Sequence, residues 1–388
     1  MKRVFLSIST ILLFFSLAGG YLEEIVIGFN LPLTESESLG SIGEEAKNAA
    51  EMIRGQIDAA GGLEVKGLRY PLRFIYANNE AEAGGAVRAA LRLVEEEQVL
   101  AVVGPLGSGR AIPAGEVCNH SETPMISPWS TNPETTRNRP FVFRTCFLDP
   151  FQAPGAARFT KEKFAVSKAA ILYNGDDDYS KTLAELYRDS WNTNYGEVVA
   201  WESFEQKDQD FNAQLTNIMA SGAEILYLPV YYNFLGPIVP QAKSLGWDKP
   251  IMGADAWGSA DLWNISGGSV AGYYFTTHFV SSGLPGRGSE FIKEYERLYG
   301  ETPSDVGALT YDSVMLYLGA LQRAGISGVL KADRRALQRA LAETVDFNGV
   351  AGKIARFDRM GDPVKEIIVA KINSQGRFVY EAAIPPGR

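Results

Sequence analysis

The sequence predicts an α/β protein of two domains, each a doubly wound parallel sheet covered by helices. Three observations carry this expectation. Short β-rich runs alternate with helical periodicity, the alternation restarts near residue 169, and 388 residues with 46% hydrophobic content and no low-complexity tract supply chain enough for two cores. The first unit is the strand Glu24–Phe29 and a helix near 43–60. That helix carries Ala46, Ala49, Ala50, Ile53, Ile57 and Ala60 as an i, i+3, i+4, i+7 stripe ended by Gly61-Gly62. The second unit is Pro71–Tyr76 with a helix near 80–97, and the third is Val99–Val103 with a helix after Gly109. The restart brings Ala169–Tyr173, a helix near 179–194, the strand Val198–Phe204, a helix near 210–221 and the strand Glu224–Leu228. Helices near 287–300, 304–324 and 332–343 follow, then strand signals at Lys353–Phe357, Glu366–Ile372 and Phe378–Ala382; each half needs part of this tail to be complete.

The N-terminus differs in kind. Lys2-Arg3 precede an apolar run from Val4 to Leu17, and Ala18-Gly-Gly20 supplies small residues for cleavage, so residues 1–20 read as a secretory signal peptide. The run is short and broken by Ser7, Ser9, Thr10 and Ser16, which argues against a membrane anchor. Leu17-Ala-Gly-Gly20 is similar to a lipoprotein box with Gly20 where the lipid-bearing Cys would stand, and a freely soluble exported protein is expected. Loss of Lys2 and Arg3 takes the formal net charge from −9 to −11, a balance that repels nucleic acid, and no later stretch reads as membrane-spanning or lipid-binding. Cys118 and Cys146 could pair in an oxidising compartment or stay as two buried thiols, and the sequence leaves both open.

In doubly wound sheets ligands lie outside the carboxyl ends of the strands, so the loops that follow strands are the ones to inspect. Four stand out: Gly104–Gly109, Ser127–Pro133, Asn174–Ser180 and Met252–Gly258. The first leads into a helix whose opening N–H groups favour an anion, with Ser108 adding a hydroxyl. The second offers Ser130 and Thr131 between two prolines that stiffen the backbone. Two of the loops belong to each half, so a ligand gripped by all four lies between domains.

These residues bear a family resemblance that covers nearly the whole chain after residue 20. Pro32-Leu-Thr34, Ala60-Gly-Gly62, Gly104 with Ser108, Met125-Ile-Ser-Pro128 with Thr131-Asn-Pro133, Tyr179, Tyr231-Tyr232 and Met252-Gly253 occur in order. In this the sequence resembles the periplasmic branched-chain amino-acid (Leu/Ile/Val) binding proteins of ABC transporters, of the type I periplasmic-binding-protein fold. The resemblance implies three crossings between the domains, near 147–150, 276–280 and 356–360, and a hinged cleft. The division implied is 21–147 plus 280–356 for one domain and 148–279 plus 357–388 for the other. It also implies that Ser108 and Thr131, aided by the backbone near Ser130, hold the α-groups of an amino acid, and that Asp255, where the family more often has Glu, meets the ammonium. Tyr179 would close over the ligand, with Tyr231 or Tyr232 in support. Trp129 stands where the family commonly has a small residue; its ring could fill part of the pocket, stack on a ligand or pack as core.

Simpler roles compete. Ser108 could be only a helix N-cap, Thr131 could merely brace its turn, Tyr179 could cap its helix from outside, and Asp176-Asp-Asp178 reads as a solvated loop without calcium-loop spacing. An enzyme finds little support: only His120 and His278 are present, no nucleophile elbow or phosphate loop occurs, and an acid pair of Asp255 with Glu205 or Asp178 would depend on distances in space. The expectation is therefore an exported, non-enzymatic solute-binding protein without metal or cofactor. It would act as a monomer, capture a small amino acid of apolar or branched-chain kind and present it to ABC permease subunits. The alternatives are another small solute, such as an amide or aromatic acid, and a sensory ligand-binding protein.

Overall fold

The computed structural model describes residues 24–34, 40–282 and 286–385; the expected signal segment 1–20 lies outside them. The chain begins with β1 (Ile25–Leu31), α1 (Gly40–Ala59), the hairpin β2 (Leu63–Val65) and β3 (Leu68–Tyr70), β4 (Leu72–Asn78) and α2 (Ala83–Leu91), which a wider helical turn extends to Glu96. Next come β5 (Ala101–Val103), α3 (Ser108–His120), β6 (Met125–Ser127) and β7 (Val142–Arg144). The second set is α4 (Asp149–Phe164), β8 (Lys168–Asn174), α5 (Asp178–Asn194), β9 (Glu197–Phe204), α6 (Asn212–Ala220) and β10 (Ile225–Leu228). It continues with α7 (Leu235–Ser244), β11 (Ile251–Gly253), α8 (Leu262–Ile265) and β12 (Tyr274–Thr277). The tail holds α9 (Arg287–Tyr299), α10 (Asp305–Ala324), α11 (Leu330–Ala342), β13 (Val345–Gly349), β14 (Gly352–Arg356), β15 (Ile367–Ile372) and β16 (Phe378–Ile384).

Two large sheets organise these elements. The first has the order β4-β1-β5-β6-β7 and is parallel throughout. The second has the order β16-β15-β12-β11-β10-β8-β9, parallel from β12 to β9. Strand β1 is buried along its whole length, as a strand covered on both faces must be. The order reverses beside β1 and beside β8, and the loops after β5, β6, β8, β10 and β11 leave the carboxyl ends flanking those switch points. Thus the fold puts the four loops picked from the sequence on two facing rims.

At one edge of the second sheet, β15 and β16 run antiparallel to their neighbours. A tight turn dictates the direction of β16 against β15: the Asn373 side chain accepts from Gln375 N and Arg377 N, and a loop this short can join only antiparallel strands. The strand signal at Lys353–Phe357 lies in neither large sheet; β14 pairs with β13 as a separate hairpin. Helix α4 escapes the periodicity test because Pro154 lies inside it and its buried face is built largely from Ala153, Gly155, Ala156 and Ala157, residues that give little amphipathic contrast.

The tail helices pack on the first sheet. Buried Tyr317 of α10 places its hydroxyl 2.8 Å from Val102 O and 3.0 Å from Pro124 O, and Arg334 of α11 donates to Val99 O at 2.6 Å. The chain therefore passes between the sheets after β7, after β12 and after β14. Cys118 and Cys146 are both unpaired buried thiols, of the two possibilities the inert one, and burial pushes the Cys118 thiol up to about 12. Among the described residues no helix is long and apolar enough to cross a membrane.

Half-buried Glu45 of α1 fastens α10 by accepting from Ser304 N (2.6 Å), Ser304 Oγ (2.8 Å) and Gly307 N (2.9 Å). Burial pushes its carboxyl up to about 7 from 4.5, against the pull of those same hydrogen bonds. A raised folded-state value means that folding favours the protonated form. This contribution is full below pH 4.5 and disappears as pH rises through about 7. Between pH 5 and pH 8 the melting temperature of Glu45→Gln is expected to fall less than that of the parent, read by thermal unfolding; equal slopes would remove Glu45 from this account.

Candidate functional site

The first rim is a layer of hydroxyls. Gly107, at φ 80°, precedes α3 in a conformation that favours glycine, and a Cβ there would lie 2.5 Å from the Tyr231 hydroxyl. Gly107 is the capping residue, so Ser108 sits inside the first helical turn and does not serve as the cap. Its Oγ is buried and receives Ser130 Oγ at 3.2 Å and Asn132 N at 3.4 Å. Asn132, not Thr131, braces the following turn, its Oδ1 accepting from Glu134 N at 2.9 Å. Thr131 is fully buried, and its hydroxyl lies beside the Asp149 carboxyl.

A buried guanidinium shapes that loop. Arg144, at the end of β7, donates to Ser130 O (2.6 Å), Asn132 O (2.9 Å) and Thr136 Oγ1 (2.9 Å), and its Nε lies 2.6 Å from Asp362 Oδ1. The backbone carbonyls around Thr131 are thereby turned toward Arg144. Asp362 belongs to the stretch that returns to the second sheet, so one side chain links the loop to a crossing.

The second rim is aromatic and acidic. Tyr179, in the first turn of α5, points inward and donates to Asp255 Oδ1 at 2.8 Å, so its side chain does not lie outside its helix. Asp255 follows β11 and also receives Gln152 Nε2 at 2.7 Å on Oδ1, with His278 Nε2 3.3 Å from Oδ2. Gln152 is itself fixed, its Oε1 accepting from Thr276 Oγ1 and Asp255 N. Burial lowers the His278 imidazole to about 4, so it is neutral at physiological pH and acts as a dipole rather than a counter-ion. Each of these partners of Asp255 is uncharged. Glu205 and Asp178 are exposed and stand apart from this buried acid.

The rims meet. The Tyr231 ring is centred 5.8 Å from Trp129 and 5.2 Å from Tyr179, and Asn132 Nδ2 reaches Thr182 Oγ1 at 3.0 Å across the cleft. Tyr232 approaches Ser41 Oγ at 3.1 Å. All seven residues singled out from sequence, Ser108, Trp129, Ser130, Thr131, Tyr179, Tyr231 and Asp255, therefore form one continuous buried cluster. Trp129 lies at the seam, packed on Tyr231, with its indole beside the Asp305 carboxyl.

Several residues of the cluster escaped sequence reasoning. Asp149 opens α4 and is fully buried, with the Thr131 hydroxyl beside its carboxyl. Burial pushes its carboxyl well above the usual range and Asp255 adds repulsion, while Thr131 and Arg144 pull the other way. Asp305, Gln152, Arg144 and His278 complete the set. Only an unexplained polar residue inside an apolar context could have flagged them, and Gln152 within the small-residue face of α4 is the clearest such signal. Asp177, in the acidic run, caps α5 by accepting from Ser180 N at 2.9 Å. Among the described residues no group of His, Cys, Asp and Glu is arranged to hold a metal ion.

Two open-sheet units, facing loops at their carboxyl ends and a buried polar cluster between them define the class of two-lobed α/β binding proteins. The family model described as periplasmic binding protein matches residues 24–377, and the chain belongs to that family. An amino acid binding protein of Pseudomonas aeruginosa is 29% identical over 361 residues, covering 92% of each chain. Among solved structures, a leucine binding protein LivK from Thermotoga maritima superposes with a TM-score of 0.84 at 29% identity, covering 93% of this chain and 99% of its own. The branched-chain amino acid transporter substrate binding protein LivJ from Streptococcus pneumoniae, solved in complex with isoleucine, gives 0.83 at 31% identity, covering 93% and 98%.

Arg144→Met should lower the unfolding free energy by about 3–5 kcal/mol in urea denaturation, because Asp362 is left buried and unpaired. Replacing both partners, Arg144→Met with Asp362→Leu, should recover part of that loss.

Proposed function

We propose that this protein is an extracytoplasmic solute-binding protein that captures a small amino acid, apolar or branched-chain in outline, between its two lobes and delivers it to the permease of an ABC transporter. It acts as a monomer, without enzymatic activity or cofactor, and residues 1–20 direct its export. The lobes are 21–147 with 280–356 and 148–279 with 357–388. The observation that carries this reading is the buried acid at the seam: Asp149 and Asp255 repel one another, and the side chains bonded to Asp255 are all neutral. A buried acidic centre that lacks a cation is completed by a ligand ammonium.

In this reading the ligand carboxylate lies against Ser108, Thr131 and the backbone near Ser130 at the start of α3, where unpaired N–H groups and the helix dipole favour an anion. The ammonium meets Asp255, with Tyr179 and Gln152 holding that carboxylate in place. Tyr231 and Trp129 form the wall between lobes. Contacts from both lobes exist together only when the cleft is shut, so the ligand shifts an open–closed equilibrium by its differential affinity. A ligand bound at about 1 μM gains about 8 kcal/mol, and a few kcal/mol of difference between states is enough for closure.

Asp255→Ala should weaken amino-acid binding by about 30-fold or more, the scale expected when a buried charge loses its partner, with an unaltered circular dichroism spectrum. Titration calorimetry of the ligand-stripped protein against leucine, isoleucine, valine, alanine and threonine reads this directly. Equal affinity in parent and variant would overturn the ammonium assignment. Silence toward all amino acids, with heat from benzoate or a simple amide, would move the reading to another small solute.

A further inference from the structure

The loop of the first rim sends one polar group to the other lobe that its own structure does not need. Asn132 is 4% exposed; its carbonyl accepts from Arg144, its N–H donates to Ser108 Oγ, and its Oδ1 holds the following turn through Glu134 N. Those bonds fix the loop, and by occupying Oδ1 they also fix which way the amide faces. Its Nδ2 therefore points out of the loop and across the seam, to Thr182 Oγ1 at 3.0 Å and to Asp178 O at 3.4 Å.

Both acceptors lie in the first two turns of α5. Thr182 follows Tyr179 by one helical turn and shares its face, and Tyr179 is the side chain that donates to Asp255 while accepting from Ala256 N at 3.1 Å. Opposite charges stand on the same edge, Arg110 of α3 on the first lobe and Asp177 at the start of α5 on the second. Burial pushes the Asp177 carboxyl up to about 6, and the Ser180 N–H and then the Arg110 charge pull it back. A Cβ on Gly109 would lie 3.9 Å from Asp177 Oδ1, so the two helix starts stand about one methyl group apart.

We infer that Asn132 and Thr182 form a latch between the lobes, which the ligand does not touch and which sets how long the cleft stays shut. The latch needs only a cleft that closes on a small solute, whatever that solute is, and so goes beyond the amino-acid reading above. Its donor is held in place before the lobes meet, which keeps the ordering entropy of closure small. Opening must break the bond before the ligand can leave, whereas a ligand entering an open cleft does not encounter it; the latch acts on dissociation and not on association. Asn132 and Thr182 are thus positioning residues, which keep Tyr179 over Asp255 through the first turns of α5.

Stopped-flow dissociation of leucine, or of benzoate should no amino acid bind, tests this on the parent, Thr182→Val, Asn132→Ser and the double variant. Valine keeps the shape of threonine without its acceptor, and serine can still hold the Glu134 turn but is too short to cross the seam. Each single variant is expected to release the solute about three- to tenfold faster, the scale of one hydrogen bond, with the association rate and the rank order of solutes unchanged. The double variant should be about as fast as either single one, because both remove the same bond. A parent dissociation rate retained in Thr182→Val would overturn the latch and leave solute capture standing, and so would effects of the two substitutions that multiply. A lower melting temperature of the ligand-free variants with unaltered dissociation would mark a purely structural role and overturn it as well. Heat from benzoate alone would remove the amino-acid reading, and the benzoate rates would then decide the latch. If one single variant does not fold, the other decides.

Discussion

The guanidinium of Arg144 is the interaction on which the site depends. It is fully buried, so its charge must be paired and its N–H groups engaged. Both requirements are met by parts of the chain far apart in sequence: carbonyls of Ser130 and Asn132 from the first rim, and Asp362 from the return crossing. The rim loop is thereby rigid before any ligand arrives, which spares the ordering entropy that a mobile loop would lose on binding. The same arrangement leaves the Thr131 hydroxyl without a bond inside its own loop.

Charge in the seam is lopsided. Asp149, Asp255 and Asp305 are buried within mutual influence, the first and third both pushed up by Asp255. Of the cations nearby, Arg144 is committed to the loop carbonyls and Asp362, buried Lys365 donates to Thr145 O and Ala351 O, and His278 is neutral. An acidic surplus in a low-dielectric space is costly when empty. That cost favours an open, hydrated cleft in the absence of a cationic group and a shut one in its presence. In the proposed reading electrostatics and hinge motion are one mechanism, the ligand supplying the charge that makes closure favourable.

The aromatic wall adds selectivity. Trp129, Tyr231 and Tyr179 stand in succession across the seam, which limits the volume left for a ligand side chain. Whether a tryptophan there is core or pocket is settled neither by its burial nor by its stacking. Its N–H faces the Asp305 carboxyl and opposes the rise that burial imposes there.

What the sequence determined by itself was the layered α/β architecture, the four rim loops and the seven residues of the cluster. The architecture and loops were legible because strand–helix alternation is a local periodicity and ligand loops follow strands; the seven residues were reached through the family resemblance carried by Gly104 with Ser108, Met125–Pro128 with Thr131–Pro133, Tyr179, Tyr231-Tyr232 and Met252-Gly253. The antiparallel edge strands, the hairpin that takes Lys353–Phe357 out of the large sheets, and helix α4 were decided by tertiary structure. Pairing direction depends on where a turn sends the chain, and a helix of small residues has no apolar stripe to read. Tertiary structure alone also brought Asp149, Gln152, His278 and Asp305 to Asp255 and Trp129. Their nearness depends on crossings that close only when both sheets exist, and no spacing along the chain encodes it.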